Sequence, residues 1–294
     1  GTIDIKGDIL GTDGDASSVE SLTIAGTTEG TIKIAGDIKR SAAGGEFKTI
    51  TLTAPTAGGS GGDIYLGGIL ETKHNDTLNN IDINGNVVLT AATRLDTATN
   101  TGTIDISGTV NSATTTEKAL TLRSNGGTVT IHGLIGGVKD IAALNINSTA
   151  DSTQTGAGAI TLNGVGSSTQ IGITGAADIG NNSTTKIDLA GSYYNIDGAT
   201  TLTTTTGANK IEVTSALTLE TNDDDLHFVR GDVKLSNDLT INTGSGAGKV
   251  EFDGAIEADD ATSFDDLPFD DAISYANKKD YLVINKASKE VICI

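Results

Sequence analysis

The chemistry in this chain is concentrated in its carboxylates. Residues 58–66, GGSGGDIYL, fit a calcium-binding nonapeptide pattern, Gly-Gly-x-Gly-x-Asp-x-(large apolar)-x. In that pattern the turn carbonyls and the aspartate of stacked copies cage a calcium ion, a hard cation that takes oxygen ligands. Asp63 holds the ligand position, but only one copy occurs. A cage needs neighbouring copies to complete its coordination, so a flexible glycine-rich corner is the plainer reading. Asp82 and Asp105 form a second acidic pair, at equivalent positions of two similar stretches. A third set, Asp259, Asp260, Asp265 and Asp266, lies in the run EADDATSFDDLPFDD. Calcium is therefore the candidate ion, with Asp63, Asp82, Asp105, Asp259 and Asp265 as candidate ligands, and no motif requires a cofactor.

Hydrolytic chemistry has less support. A glycan-cleaving site needs two or three clustered acids, usually with His or Arg, in a groove. His74, His132 and His227 show no companion pattern, Arg is confined to Arg40, Arg94, Arg123 and Arg230, and Trp is absent. No enzymatic activity is expected. Sequons beginning at Asn75, Asn147, Asn181 and Asn182 suit surface loops.

The elements that must position these side chains come from an internal repeat, apolar-x-apolar-x-Gly-x-apolar. Eleven copies begin at Ile3, Ile32, Ile64, Ile81, Ile104, Val129, Ile160, Ile187, Ile211, Val233 and Val250. The position two residues on is apolar in all of them, and the next-but-one is Gly except at Ser215 and Asn237. Period-2 alternation puts the first two apolar residues on one face of a strand. The glycine permits a bend or a close backbone approach, and the last apolar residue turns inward on the next short strand. One copy cannot bury its apolar face alone, whereas stacked copies can. An all-β parallel β-helix of about eleven irregular coils follows, one per copy, with unequal corner loops because the copies lie 17 to 32 residues apart. In-register stacking would align the intervening residues Asp4, Lys33, Tyr65, Asp82, Asp105, Thr130, Thr161, Asp188, Glu212, Lys234 and Glu251 on one outward column. Asp82 and Asp105 would then lie about 5 Å apart, and Glu212, Lys234 and Glu251 would alternate in sign. A solvated face with partial charge pairing accounts for that column.

Composition agrees. There are 38 Gly, 2 Pro and no Met, with aromatics at 3%, so the core is aliphatic, as a narrow solenoid interior requires. A net charge of −19 argues against nucleic acid as a partner. No apolar run is long enough for a membrane span, and the single cysteine, Cys293, excludes an internal disulfide. Residues 1–256 read as the repeat domain. Residues 257–294 read as an acidic linker and a C-terminal cap or assembly element, ending in two alternating stretches, YLVIN and EVICI.

Copies such as GTIDIKGDI, GTIKIAGDI, GTIDISGTV and GTVTIHGLI, set among Thr-, Asn- and Gly-rich loops, resemble bacterial surface β-helices. Filamentous-haemagglutinin-like adhesins, autotransporter passenger domains and β-helical surface-layer proteins are the nearest likenesses. The resemblance implies an exported structural protein, a subunit of a cell-surface filament or coat. The alternative is an adhesin rod that binds a glycan or protein of a host or neighbouring cell, and a carbohydrate-active enzyme is the third reading. Ile3 and Ile5 stand two and four residues into the chain, so an uncovered first coil is expected. The tail carries apolar anchors at Phe264, Phe269, Tyr281, Val283, Val291, Ile292 and Ile294. Head-to-tail homopolymerisation, tail to first coil, is the assembly these features suggest.

Overall fold

The computed structural model describes the chain except residues 12–19, 27–29, 42–46, 55–61, 74–78, 98–101, 114–115, 149–157, 259–281, 286–289 and 294. The described residues hold strands and turns but no helix. The chain winds as a parallel β-solenoid with three sides, visited in the order A, B, C in every coil. Side A stacks Thr2–Ile5, Thr31–Ile34, Asp63–Leu66, Asn86–Leu89 and Val110–Ser112. It continues through single bridges at Ile135 and Val165 to Tyr193–Asn195, Leu217–Glu220 and Leu239–Asn242. Side B runs Ile9–Gly11, Ile38–Arg40, Ile69–Glu71, Thr93–Asp96, Ala119–Arg123, Ala143–Ile146 and Ala177–Gly180. The first parts of Thr200–Val213 and Leu226–Leu235, then Val250–Phe252, complete it. Side C runs Glu20–Ala25, Phe47–Thr53, Asn80–Asn84, Ile104–Ile106, Val129–Ile131, Ala159–Leu162 and Lys186–Leu189. It ends with the second parts of the same two long strands and Ile256–Ala258. Each side is thus ten levels deep rather than eleven, roughly 45 Å of rod at the usual strand spacing.

The count differs because the repeat encodes a corner, not a coil. In the first three copies the apolar pair lies on side A and the final apolar residue on side B, as Ile32 and Ile34 precede Ile38. From Ile81 to Val233 the pair lies on side C and the final residue, such as Val87 or Val110, on side A. Ile81 therefore stacks beneath Ile50, and Ile64 is followed by Val87. The eleventh copy, at Val250, turns from B to C. Any corner with this backbone accepts the same motif, so the repeat changes corner without changing its letters.

Glycine is required at these corners because successive corner backbones touch. A Cβ on Gly36 would lie 2.5 Å from the Gly7 carbonyl, and one on Gly133 2.4 Å from the Gly108 carbonyl carbon. Where the glycine is replaced, the side chain bonds to the preceding coil instead. Ser215 Oγ donates to the Ala190 carbonyl at 2.7 Å, and Asn237 Nδ2 to the Thr214 carbonyl at 2.7 Å.

Ile, Leu and Val from all three sides fill one continuous core, with Ile104, Ile106 and Val110 at most 1% exposed. The column slips by one residue in two coils. Val165, not Gly166, follows Ile135, and Tyr194, not Tyr193, follows Val165. Tyr194 is buried and its hydroxyl donates to the Leu162 carbonyl at 2.5 Å. Burial pushes its phenol well above the ordinary range. A polar ladder occupies the corner after side B. Asn147 Oδ1 accepts the Ser124 N–H, its Nδ2 donates to Ser124 Oγ, and Asn181 Nδ2 donates to the Asn147 carbonyl. Asn147 and Asn181 are buried, so these two sequons are core ladders rather than surface acceptors. Asn182 is exposed, and Asn75 lies outside the described residues.

After the last coil the chain adds an antiparallel hairpin. Leu282–Asn285 pairs with Leu239–Asn242 on side A of the final coil, and Glu290–Cys293 pairs with Leu282–Asn285.

Candidate functional site

The outward column divides at the corner switch. Asp4 and Lys33 are register neighbours on side A, and Lys33 Nζ sits 5.4 Å from the Tyr65 ring centre. Tyr65 does not adjoin Asp82, whose side-C neighbours are Thr51 and Asp105. Asp82 and Asp105 do face each other in register, as expected. Burial, and then the Asp105 charge, pushes the Asp82 carboxyl above its ordinary range. On its other flank Asp105 meets the His132 ring, Nε2 to Oδ1 at 2.9 Å. Further along, Asp188 adjoins Glu212, and Lys186 Nζ reaches both, at 3.1 and 2.5 Å. Glu212 adjoins Lys234 as expected, but the next residue in register is Glu257. Glu251 sits instead on side B, beside His227.

Many remaining acids serve as coil-to-coil acceptors. Asp8 Oδ1 accepts the Asp37 N–H, and Asp37 Oδ1 accepts the Ile69 N–H, both at 2.9 Å. Burial opposes the Asp37 charge, yet the Lys39 ammonium at 2.6 Å and the Ile69 N–H together hold its carboxyl below the usual range. In the acidic run at 223–225, Asp223 accepts the Gly246 N–H and Asp225 the Lys249 N–H. Asp232 accepts the Ala255 N–H. These carboxylates replace main-chain acceptors where the corners interrupt the ladder. Asp96, only 5% exposed, forms ion pairs with Arg94 Nε at 3.3 Å and Arg123 Nη1 at 3.4 Å.

Of the candidate calcium ligands, Asp63 opens its side-A strand and receives the Asn86 amide at 3.5 Å. The glycine-rich half of its motif, together with Asp259 and Asp265, lies outside the described residues. Of the assembly anchors, Ile3 and Ile5 are half-buried in the first coil, as is Ile9, whereas Ile32, Ile34 and Ile38 one coil on are fully buried. Val283 falls in the inner hairpin strand and Val291 and Ile292 in the outer one. Phe264, Phe269, Tyr281 and Ile294 lie outside the described residues.

One constellation escaped the sequence reading. Leu226–Phe228 and Val250–Phe252 pair residue for residue on side B, with the Phe228 and Phe252 rings stacked 4.4 Å apart in the core. That register sets Glu251 opposite His227, with Asp253 just beyond. His227 Nε2 lies 2.9 Å from Asp253 Oδ1 and 3.8 Å from Glu251 Oε2, and the three donor atoms lie within 4.8 Å of one another. The other Asp253 oxygen accepts the Arg230 N–H at 3.2 Å. The available signal was the shared apolar-x-Phe pattern of Leu226-His227-Phe228 and Val250-Glu251-Phe252, which aligns Leu226 on Val250.

No known protein family, curated protein or solved structure matches this chain. The described residues include no helix long and apolar enough to cross a membrane.

Proposed function

We propose that this chain is a structural rod, the subunit of an extracellular filament or coat that grows by stacking one copy's first coil on another's last. The observation that supports it most is the parallel, in-register pairing on sides B and C from the first level to the tenth. The two ends of such a stack are sheet edges of the same type, and unpaired edges of that kind recruit further strands. A second copy on the first coil would finish the burial of Ile3, Ile5 and Ile9 and continue the ladders. The contact is heterologous, so repetition gives an open filament. On side A the C-terminal hairpin already occupies the last strand, and its outer strand, Glu290–Cys293, is the edge offered there. Placement outside the cell rests on the likeness of the repeat to bacterial surface β-helices.

Electron microscopy across a concentration series tests this reading. Rods of roughly 45 Å should join end to end into filaments of constant width. Ile3→Lys should leave folded rods that no longer join, and removal of residues 276–294 should leave folded rods that join less well, because the Glu290–Cys293 edge on side A is lost. Single rods at every concentration, or filaments that survive both changes, would overturn it.

A further inference from the structure

The last two coils carry a cluster that end-to-end stacking does not use. We propose that His227, Glu251 and Asp253 form a binding site for a divalent transition-metal ion of the zinc class. The imidazole Nε2 and one oxygen of each carboxylate are the protein ligands, and water completes the coordination.

Ligands about 2.0 Å from a tetrahedral zinc ion stand about 3.3 Å from each other. The distances from His227 Nε2, 2.9 Å to Asp253 Oδ1 and 3.8 Å to Glu251 Oε2, straddle that value, so small rotations of the side chains seat the ion. Three donors from the protein with open positions for water is an ordinary zinc ligand count. The Arg230 N–H holds the outer oxygen of Asp253 and leaves Oδ1 turned toward the imidazole, the kind of supporting bond that orients a metal-ligating carboxylate.

Charge and chemistry choose the ion. A neutral imidazole between two carboxylates carries two negative charges, which a divalent cation cancels. Nitrogen in the ligand set favours zinc, cobalt, nickel or copper over calcium and magnesium, which take oxygen. The contrast within the chain is His132. It meets Asp105 at the same 2.9 Å, but the His227 group is the one set among the described residues with three donors converging. The ligands span two coils, since His227 lies on the ninth level of side B and Glu251 and Asp253 on and just past the tenth. Bound metal would therefore fasten the last coil to the one before it.

The test is titration of the full chain with zinc chloride by calorimetry at neutral pH, with calcium chloride in parallel and thermal melts of both samples. One zinc ion should bind at least about tenfold more tightly than calcium and raise the melting temperature. His227→Ala should weaken zinc binding at least about tenfold and abolish the thermal shift, with the β-sheet circular dichroism unchanged. Glu251→Gln should weaken binding in the same direction, while His132→Ala should leave it intact. Zinc binding that survives His227→Ala, calcium binding of equal strength, or no binding at all would show that the three side chains are an ion-paired surface cluster and overturn the proposal. If His227→Ala fails to fold, His227→Gln answers the same question.

Discussion

Replacing Gly108 with alanine adds one methyl group at a place where the structure leaves no room. The new Cβ would lie 2.4 Å from the Gly85 carbonyl oxygen, 2.5 Å from its carbon and 2.7 Å from the Asn86 nitrogen. All three are backbone atoms, so relief requires the two coils to part by about 1 Å at the corner. The Val87 N–H to Thr109 carbonyl bond, now 2.7 Å, and the Gly85 N–H to Ser107 Oγ bond, now 3.1 Å, flank the contact. Lengthened by that amount, both leave hydrogen-bonding range. Two lost bonds at about 1 kcal/mol each, added to about 1–3 kcal/mol of overpacking, give a loss of about 3–5 kcal/mol. The melting temperature should fall by on the order of 10 °C. Gly7→Ala is the matched control, because an added Cβ there meets nothing within 4 Å. It should be neutral or stabilising by up to about 1 kcal/mol, through the lower entropy of the unfolded chain. Urea unfolding followed by circular dichroism, fitted without assuming a single transition, measures both. Equal stability of Gly108→Ala and Gly7→Ala would refute the corner-to-corner contact.

Other substitutions probe the core and the charged column. Ile106→Asp places an unpaired carboxylate in a fully buried position and should cost several kcal/mol, about 4, read as a lowered urea midpoint. Asp82→Asn should stabilise the protein at neutral pH by up to about 1 kcal/mol, by removing a like-charge pair. The folded state raises the Asp82 carboxyl above 3.8, so the wild-type penalty is full above the raised value and disappears below 3.8, where both states are protonated. The gain should therefore vanish in acid, and a gain that persists at pH 3 would contradict it.

The strands were legible because alternation of Ile, Leu and Val with polar residues leaves one arrangement that buries the apolar set. The glycine's role at a bend and the Asp82–Asp105 adjacency were legible for the same reason, since both depend only on neighbouring copies being in register. The side on which each copy lies was not legible. The motif describes a corner backbone that is found between sides A and B at Ile32, between C and A at Ile81 and between B and C at Val250, so its letters do not say which corner a copy turns. The slip at Tyr194 was hidden because the adjacent Tyr193 fits the pattern equally well, whereas Gly166 beside Val165 broke the apolar column. The His227 cluster depends on a pairing across 26 residues, and His227 lies between the repeat copies that begin at Ile211 and Val233. Asn147 and Asn181 looked like surface sequons because a polar ladder inside a corner has the same composition as a loop.

The corner switch fixes which charges meet and where the His227 ligands converge. Paired cysteines test it directly, in a chain whose own Cys293 is changed to serine. Thr51 and Asp82 are register neighbours on side C, and adjacent strands about 4.8 Å apart fall inside the span a disulfide bridges. Thr51→Cys with Asp82→Cys should therefore close a disulfide on mild oxidation, seen as protection from alkylation. Tyr65→Cys with Asp82→Cys, which one coil per copy would bring together, should remain reduced. The opposite outcome, closure at 65 and 82 but not at 51 and 82, would contradict the three-sided stack.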